Sequence, residues 1–244
     1  MDNVIVTGGS RGLGLAIATT LAGAGYRVIA VARSLSNELS AAARAAADRG
    51  VGAIEFRAFD LAEIGQIAAF VRAVRGDFGA IYGLVNNAGL GTAGVLGVMR
   101  DQDIERLIRL NTLSPIVLTK YVLRVMMTAR TGRIINIASI VALTGYEGLS
   151  VYSATKASLI GFTQSLAREV GQLGITVNVI APGFLDTEMT EQLDERQRGK
   201  IARRSALRRL AEPVDVARSA LHLLGEGGRN ITGIVLTIDA GNTV

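Results

Sequence analysis

The sequence predicts an α/β fold, a doubly wound parallel sheet with helices on both faces. Short apolar, β-branched runs alternate with longer helix-patterned segments from end to end. A glycine-rich turn joins the first such run to the first helical segment, and polar or charged residues recur where the later runs stop. At 244 residues, 49% of them hydrophobic, with 29 glycines and 3 prolines, the chain suits one ordered domain with a large core. Composition shifts, repeats and low-complexity segments that would divide residues 1–244 are not seen.

Composition narrows the function. The absence of cysteine excludes a disulfide framework and thiol chemistry, and the single histidine, His222, excludes a His-rich metal site, so no metal is expected. No apolar run approaches the ~18 residues of a membrane helix. The first strand begins at Asn3, which leaves no room for a signal peptide and gives a cytoplasmic expectation. The net charge is +5, but the arginines are scattered, with a cluster only around residues 196–209. That cluster reads most simply as a solvated helix and loop face, with an acidic partner as the second reading. A nucleic-acid-binding motif is lacking, so no nucleic acid is expected as a partner.

Residues 4–6 (Val-Ile-Val) read as a buried strand, and residues 15–24 show helical spacing. Between them lies Thr7-Gly8-Gly9-Ser10-Arg11-Gly12-Leu13-Gly14. Glycines in a strand-to-helix turn let the backbone turn tightly and approach a pyrophosphate at the helix N-terminus, the signature of a Rossmann-type sheet. Residues 27–32 form the next strand, followed by Arg33. An NAD site would place an acid there; a guanidinium suits a 2′-phosphate instead, and Arg11 could reach the same group. Two ordinary surface arginines are the alternative.

Residues 36–49 are Ala-rich and helical, and residues 53–58 read as strand, ending near Asp60-Leu61. Residues 64–78 are helical. Residues 82–85 form a strand running into Asn86-Asn87-Ala88-Gly89, small residues and amides that fit a turn passing close to a ligand or a plain Asn-Gly-type turn. Residues 101–110 and 114–130 read as helix, interrupted near Asn111, with Pro115 in the first turn of the second. An apolar run at 134–138 leads to Ser139, and residues 151–173 are helical. Residues 175–181 form a strand closed by Pro182-Gly183. Residues 184–209 are polar and basic, suited to covering the site. A helix at 213–224 and a strand at 234–238 complete the chain.

The chemistry concentrates between Ser139 and Lys156. Tyr152 and Lys156 stand at i and i+4 and share one helical face. A phenol, with an ordinary pKa near ~10, is a poor base at neutral pH, and a neighbouring ammonium favours its ionised form. Such a phenol can pass a proton to a nascent alkoxide or take one from an alcohol, while a serine hydroxyl holds the carbonyl oxygen. Alone, the pair reads more readily as a helix-surface pair. What reverses this is convergence: the glycine turn, Arg33, Asp60, Asn86, Ser139 and Pro182 all follow strand ends. In a parallel sheet these line one crevice.

The chain resembles the classical short-chain dehydrogenases/reductases over essentially its whole length. The resemblance rests on Thr7-Gly-x-x-x-Gly12-x-Gly14, Asp60, Asn86-Asn-Ala-Gly89, Asn111, Ser139, Tyr152-x-x-x-Lys156 and Pro182-Gly183. Within the family it is most similar to the 3-oxoacyl-[acyl-carrier-protein] reductases, notably in residues 132–136, 161–169, 174–184 and 187–190. The resemblance implies NADP(H) as cofactor, with Tyr152 as proton donor. It implies that Lys156 tunes that phenol and binds the nicotinamide ribose, Ser139 holds the substrate carbonyl, and Asn111 keeps a water that links Lys156 to solvent. The implied cofactor contacts are Gly8, Ser10, Arg11, Gly12, Leu13, Gly14, Arg33, Asp60, Leu61, Asn87, Ala88, Gly89, Tyr152, Lys156, Pro182, Gly183, Leu185 and Thr187.

The activity implied is reduction of 3-oxoacyl thioesters, with another small ketone, sugar or alcohol as the alternative substrate. Residues 89–99, 140–149 and 184–204 would form its walls. The implied partners are an acyl carrier protein, docking at Arg130, and further copies of the chain in a homotetramer. A dinucleotide-sensing regulator without catalysis is the competing class, and it would not need the Asn-Ser-Tyr-Lys set. Two departures stand out. Leu173 replaces a basic residue frequent in the carrier-protein reductases, and Asp239-Ala-Gly241 replaces the usual Asp/Asn-Gly-Gly.

Overall fold

β1 (Asn3–Thr7) forms because its side chains are buried on both sides of the backbone. Val4 and Val6 pack into one core and Ile5 into the other, as the twofold alternation of a strand requires. β2 (Arg27–Ala32), β3 (Ala53–Ala58), β4 (Ile81–Asn86), β5 (Gly132–Ile137), β6 (Ile175–Pro182) and β7 (Val235–Ile238) complete one parallel sheet in the order β3-β2-β1-β4-β5-β6-β7. The structure, a computed structural model, describes residues 1–91, 93–185 and 195–244. Thr187 and residues 187–190 therefore lie outside the described residues, as does part of the 184–204 wall.

α1 (Gly12–Gly23), α2 (Asn37–Arg49) and α8 (Pro213–Leu224) cover one face. There Ile17, Leu21, Leu39, Val216 and Leu223 meet Val4, Val6 and Val28. α3 (Ile67–Phe78), α5 (Ser114–Ala129) and α6 (Ser150–Val170) cover the other. There Val71, Val74, Leu118, Val122, Met126 and Leu166 meet Ile5, Leu84, Ile134 and Val177. The direction of winding reverses between β1 and β4, so the loops after these strands open a crevice at the carboxyl edge of the sheet.

Local chemistry sets the helix limits. The Ser36 hydroxyl accepts from the Leu39 amide to begin α2, and Gly50, at φ 65°, ends it. Pro213 opens α8 inside a reciprocal box in which the Glu212 amide donates to Asp215 at 3.0 Å. The expected interruption near Asn111 is a turn of π-helix, Arg109–Leu113, between α4 (Asp101–Ile108) and α5. Within the basic 184–209 stretch lies α7 (Glu195–Arg204). Among the described residues no helix is long and apolar enough to cross a membrane.

Candidate active site

Ser139 follows β5 directly and caps a 3₁₀ turn, Ile140–Ala142, where its oxygen accepts from the Val141 amide at 3.4 Å. Tyr152 and Lys156 project from the first turns of α6, and Lys156 is only 4% exposed. The Lys156 ammonium donates to the Ile137 carbonyl at 2.9 Å and lies 5.8 Å from the centre of the Tyr152 ring. The Ser139 hydroxyl lies near enough to the Tyr152 phenol to favour its ionised form. The three groups expected from the sequence thus meet beyond the end of β5.

Asn111 joins them through the π-turn, whose extra residue re-aims the side chain into the molecule. Its Oδ1 accepts from the Leu90 amide at 2.8 Å, while its Nδ2 donates to the Leu90 carbonyl at 2.9 Å and to Thr155 Oγ1 at 3.2 Å. The loop after β4 is thereby clamped to α6. Gly89 is the contact point: a Cβ added there would lie 3.2 Å from Asn111 Oδ1 and 3.4 Å from Lys156 Nζ. A side chain at this position would crowd the Asn111 amide and lie against the buried ammonium.

Burial governs the electrostatics. It pushes the Tyr152 phenol up to about 12, against the opposing effect of the nearby Ser139 hydroxyl. It pushes Lys156 down from 10.5 to about 8. The spacing predicts a phenol lowered by the ammonium; in the folded chain desolvation prevails. Tyr152 is accordingly a firmly protonated acid, and Lys156 an ammonium that can lose its proton near physiological pH.

The glycine turn lies across the crevice. A Cβ on Gly14 would fall 2.1 Å from the Gly8 carbonyl oxygen and 2.6 Å from Asn87 Nδ2, so only glycine fits where α1 starts. Asn87 donates to the Thr7 carbonyl at 2.8 Å, and Thr7 Oγ1 accepts from the amides of Asn87 and Ala88 at 2.9 and 3.0 Å. The N-cap position of α1, Arg11, makes no side-chain cap, and the first turn carries no acid, which suits an anionic ligand. Ser36 Oγ holds the Ser10 carbonyl. Gly12 and Leu13 open the helix itself. Arg11 and Arg33 are both exposed on this side.

The remaining expected residues are placed as follows. Asp60 Oδ1 accepts from the Ala62 amide at 2.9 Å and shapes the turn after β3, while Leu61 is buried in the core. The Gly183 amide donates to the Ile238 carbonyl at 2.9 Å, and Leu185 bridges to Ala211. These residues fit the dinucleotide that the resemblance implies. The Gly14 cradle and α1 terminus would receive the pyrophosphate, Arg11 and Arg33 a 2′-phosphate, and Lys156 the nicotinamide ribose. Such a cofactor supplies a hydride.

The sequence reading missed two supports. Thr155 holds Asn111. A buried chain also runs from Asn86 Nδ2 to Thr119 Oγ1 (2.9 Å) and Asn136 Oδ1 (2.8 Å), and from Asn136 Nδ2 to Thr163 Oγ1 (2.8 Å). It ties β4 and β5 to α5 and α6. Its signal was available: an asparagine inside the apolar run of β5 must find buried partners.

The family model described as short chain dehydrogenase matches residues 2–198. The 3-oxoacyl-[acyl-carrier-protein] reductase FabG of Escherichia coli (strain K12) is 40% identical over 97% of this chain and 95% of its own length. The enzyme of the same name from Chlamydia trachomatis serovar D is 37% identical over the same shares. Among solved structures, a blue fluorescent protein from a metagenomic library in complex with NADPH superposes with a TM-score of 0.90, at 34% identity over 100% of this chain and 98% of that one. A mutant of a Serratia marcescens short-chain dehydrogenase/reductase gives 0.92 at 32% identity, over 100% and 98%. With the fold, the site and these relatives in agreement, the chain belongs to the short-chain dehydrogenase family.

Proposed function

We propose that this chain, as one dinucleotide-binding domain over residues 1–244, is an NADPH-dependent carbonyl reductase that converts 3-oxoacyl thioesters, carried on acyl carrier protein, to 3-hydroxyacyl thioesters. The observation that carries the chemistry is the meeting of Tyr152, Ser139, Lys156 and Asn111 beyond the end of β5. Curated relatives near 40% identity that act on 3-oxoacyl-[acyl-carrier-protein] support the substrate. The NADPH in a superposable structure supports the cofactor, as do Arg33 and Arg11 where an NAD site would hold an acid.

In this reading Ser139 Oγ and the Tyr152 hydroxyl hold the 3-oxo oxygen. Charge builds on that oxygen as the carbonyl carbon is reduced, and donors aimed there lower the barrier. Tyr152 passes its proton to the oxygen and gives the alcohol. The Lys156 ammonium, held by the Ile137 carbonyl, sits beside the phenol and favours the phenolate left behind. Asn111 fixes the Leu90 backbone against α6 and so keeps the crevice wall in register with the acid.

The proposal includes a cytoplasmic homotetramer. Exposed Ile108, Leu113 and Met127 along the α4–α5 side leave apolar surface that further copies would cover. One observation favours coenzyme A thioesters over the carrier protein: Leu173, at a position often basic in the carrier-protein reductases, packs against the core and presents no charge. Arg130 remains, reaching the Gln172 carbonyl from an exposed position. Steady-state rates with acetoacetyl carrier protein and acetoacetyl coenzyme A at low and high salt separate the two. Docking of an acidic carrier predicts a higher kcat/KM for the carrier substrate that falls with salt. Equal, salt-insensitive rates would remove the carrier from the proposal.

A further inference from the structure

Three loops that follow adjacent strands meet outside the catalytic group. Tyr146 comes from the loop after β5, Phe184 from the turn after β6, and Asn242 from the tail after β7. The Tyr146 hydroxyl donates to Asn242 Oδ1 at 3.0 Å, and the Tyr146 and Phe184 rings pack edge to face with centres 5.7 Å apart. The Asn242 Nδ2 group turns the other way, to Ser205 Oγ at 3.2 Å and the Ile201 carbonyl at 3.4 Å, at the end of α7. The Ile201 carbonyl is an acceptor only, so the amide cannot be reversed without losing that contact. A single side chain thus accepts from the substrate loop and donates to the helix.

The tail that carries Asn242 is built to hold still. Asp239, only 9% exposed, accepts at Oδ1 from the Gly241 amide (2.8 Å) and at Oδ2 from the Thr243 amide (2.9 Å) and hydroxyl (2.8 Å). The Ala206 and Leu207 amides donate to the Gly241 and Ala240 carbonyls at 3.1 and 3.0 Å. On its other side the substrate loop is pinned where the Gly94 amide meets the Gly148 carbonyl at 2.8 Å. Tyr146 lies in the stretch between Ser139 and Tyr152, so whatever holds Tyr146 sets the wall between the two catalytic hydroxyls.

We propose that Asn242 is a positioning residue for the substrate: by bridging Tyr146 to the end of α7 it holds the wall of the acyl site in place, and it takes no part in proton transfer or cofactor binding. The proposal rests on reading the site as a 3-oxoacyl thioester reductase. The experiment measures Asn242→Ala, Asn242→Asp, Tyr146→Phe and the Asn242→Ala/Tyr146→Phe pair with NADPH and acetoacetyl coenzyme A. It adds amide hydrogen exchange of residues 143–149, which needs no substrate. Asn242→Ala should raise KM about five- to tenfold, the scale of one or two lost hydrogen bonds, with kcat and NADPH affinity changing less than about twofold. Asn242→Asp keeps the acceptor for Tyr146 and should fall between. The double variant should be no worse than Asn242→Ala alone, because both changes cut one link. Faster exchange at 143–149 in Asn242→Ala supports the bridge even if the thioester proves inert, in which case only the substrate reading fails. Unchanged exchange, or a loss of thermal stability with KM unaltered, overturns it.

Discussion

The Lys156 ammonium donates to the Ile137 carbonyl across 2.9 Å and so fastens the first turns of α6 to the last residue of β5. That bond puts a buried positive charge beside the Tyr152 ring and orders the backbone that leads straight into Ser139. It joins a strand end and a helix face into one unit, the one proposed to carry the catalysis.

Replacing Tyr152 by Phe removes the proposed proton donor and keeps the ring. Turnover should fall by about 10²–10⁴-fold, the usual worth of general acid catalysis, with NADPH affinity nearly unchanged. Stopped-flow turnover and fluorescence titration check both halves. Turnover close to wild type would assign the proton to another group.

The pH profile has a definite sign. In the proposed mechanism, reduction needs Tyr152 protonated and Lys156 charged. Tyr152, pushed up to about 12, keeps its proton throughout the working range, while Lys156 loses its own near 8. The kcat/KM for NADPH, which reports the free enzyme, should therefore be level below about pH 8 and fall above it. Stability moves oppositely. The folded value of Lys156 lies below its ordinary 10.5, so the penalty for burying its charge is full below about 8 and is relieved as pH rises toward 10.5. Any stability advantage of Lys156→Met over wild type should shrink across that window. A flat rate profile from pH 7 to 10 would contradict this assignment.

In the proposed site Arg33, directly after β2, recognises the 2′-phosphate of the cofactor. Arg33→Asp should weaken NADPH through repulsion of the 2′-phosphate and shift the kcat/KM ratio toward NADH. A ratio that does not move would show that Arg33 lies outside the recognition set.

Much of this architecture was legible in the sequence, because its signals are local. The bounds of β2, β3 and α8 came out as expected, with Gly52 directly before β3, Pro213 at the start of α8 and Gly225 at its end. Ser139, Tyr152 and Lys156 could be brought together because parallel topology sends every strand end to one side. What escaped depends on distant partners. The Asn86–Asn136–Thr163 chain and the Tyr146–Asn242 bridge join residues from separate loops and helices. The acidity of Tyr152 is set by how deeply packing buries it, which spacing along a helix does not encode.

The departure at Ala240 has an energetic meaning that the sequence did not reveal. Its φ is 56°, in the left-handed region, where a side chain costs roughly 1–2 kcal/mol and glycine does not. Ala240→Gly should therefore stabilise the chain by up to about 1 kcal/mol, the remainder offset by glycine's greater freedom when unfolded. Chemical denaturation checks the sign. A loss of stability would mean that the Ala240 side chain contributes packing that outweighs the strain.

The most direct test of the central claim is the rate of NADPH oxidation with acetoacetyl thioesters, set beside a panel of ketoses and cyclic ketones. The account predicts that the thioesters are reduced to 3-hydroxyacyl products with far higher kcat/KM than any member of the panel, and that NADH serves poorly. Inert thioesters alongside efficient turnover of a sugar or cyclic ketone would contradict it.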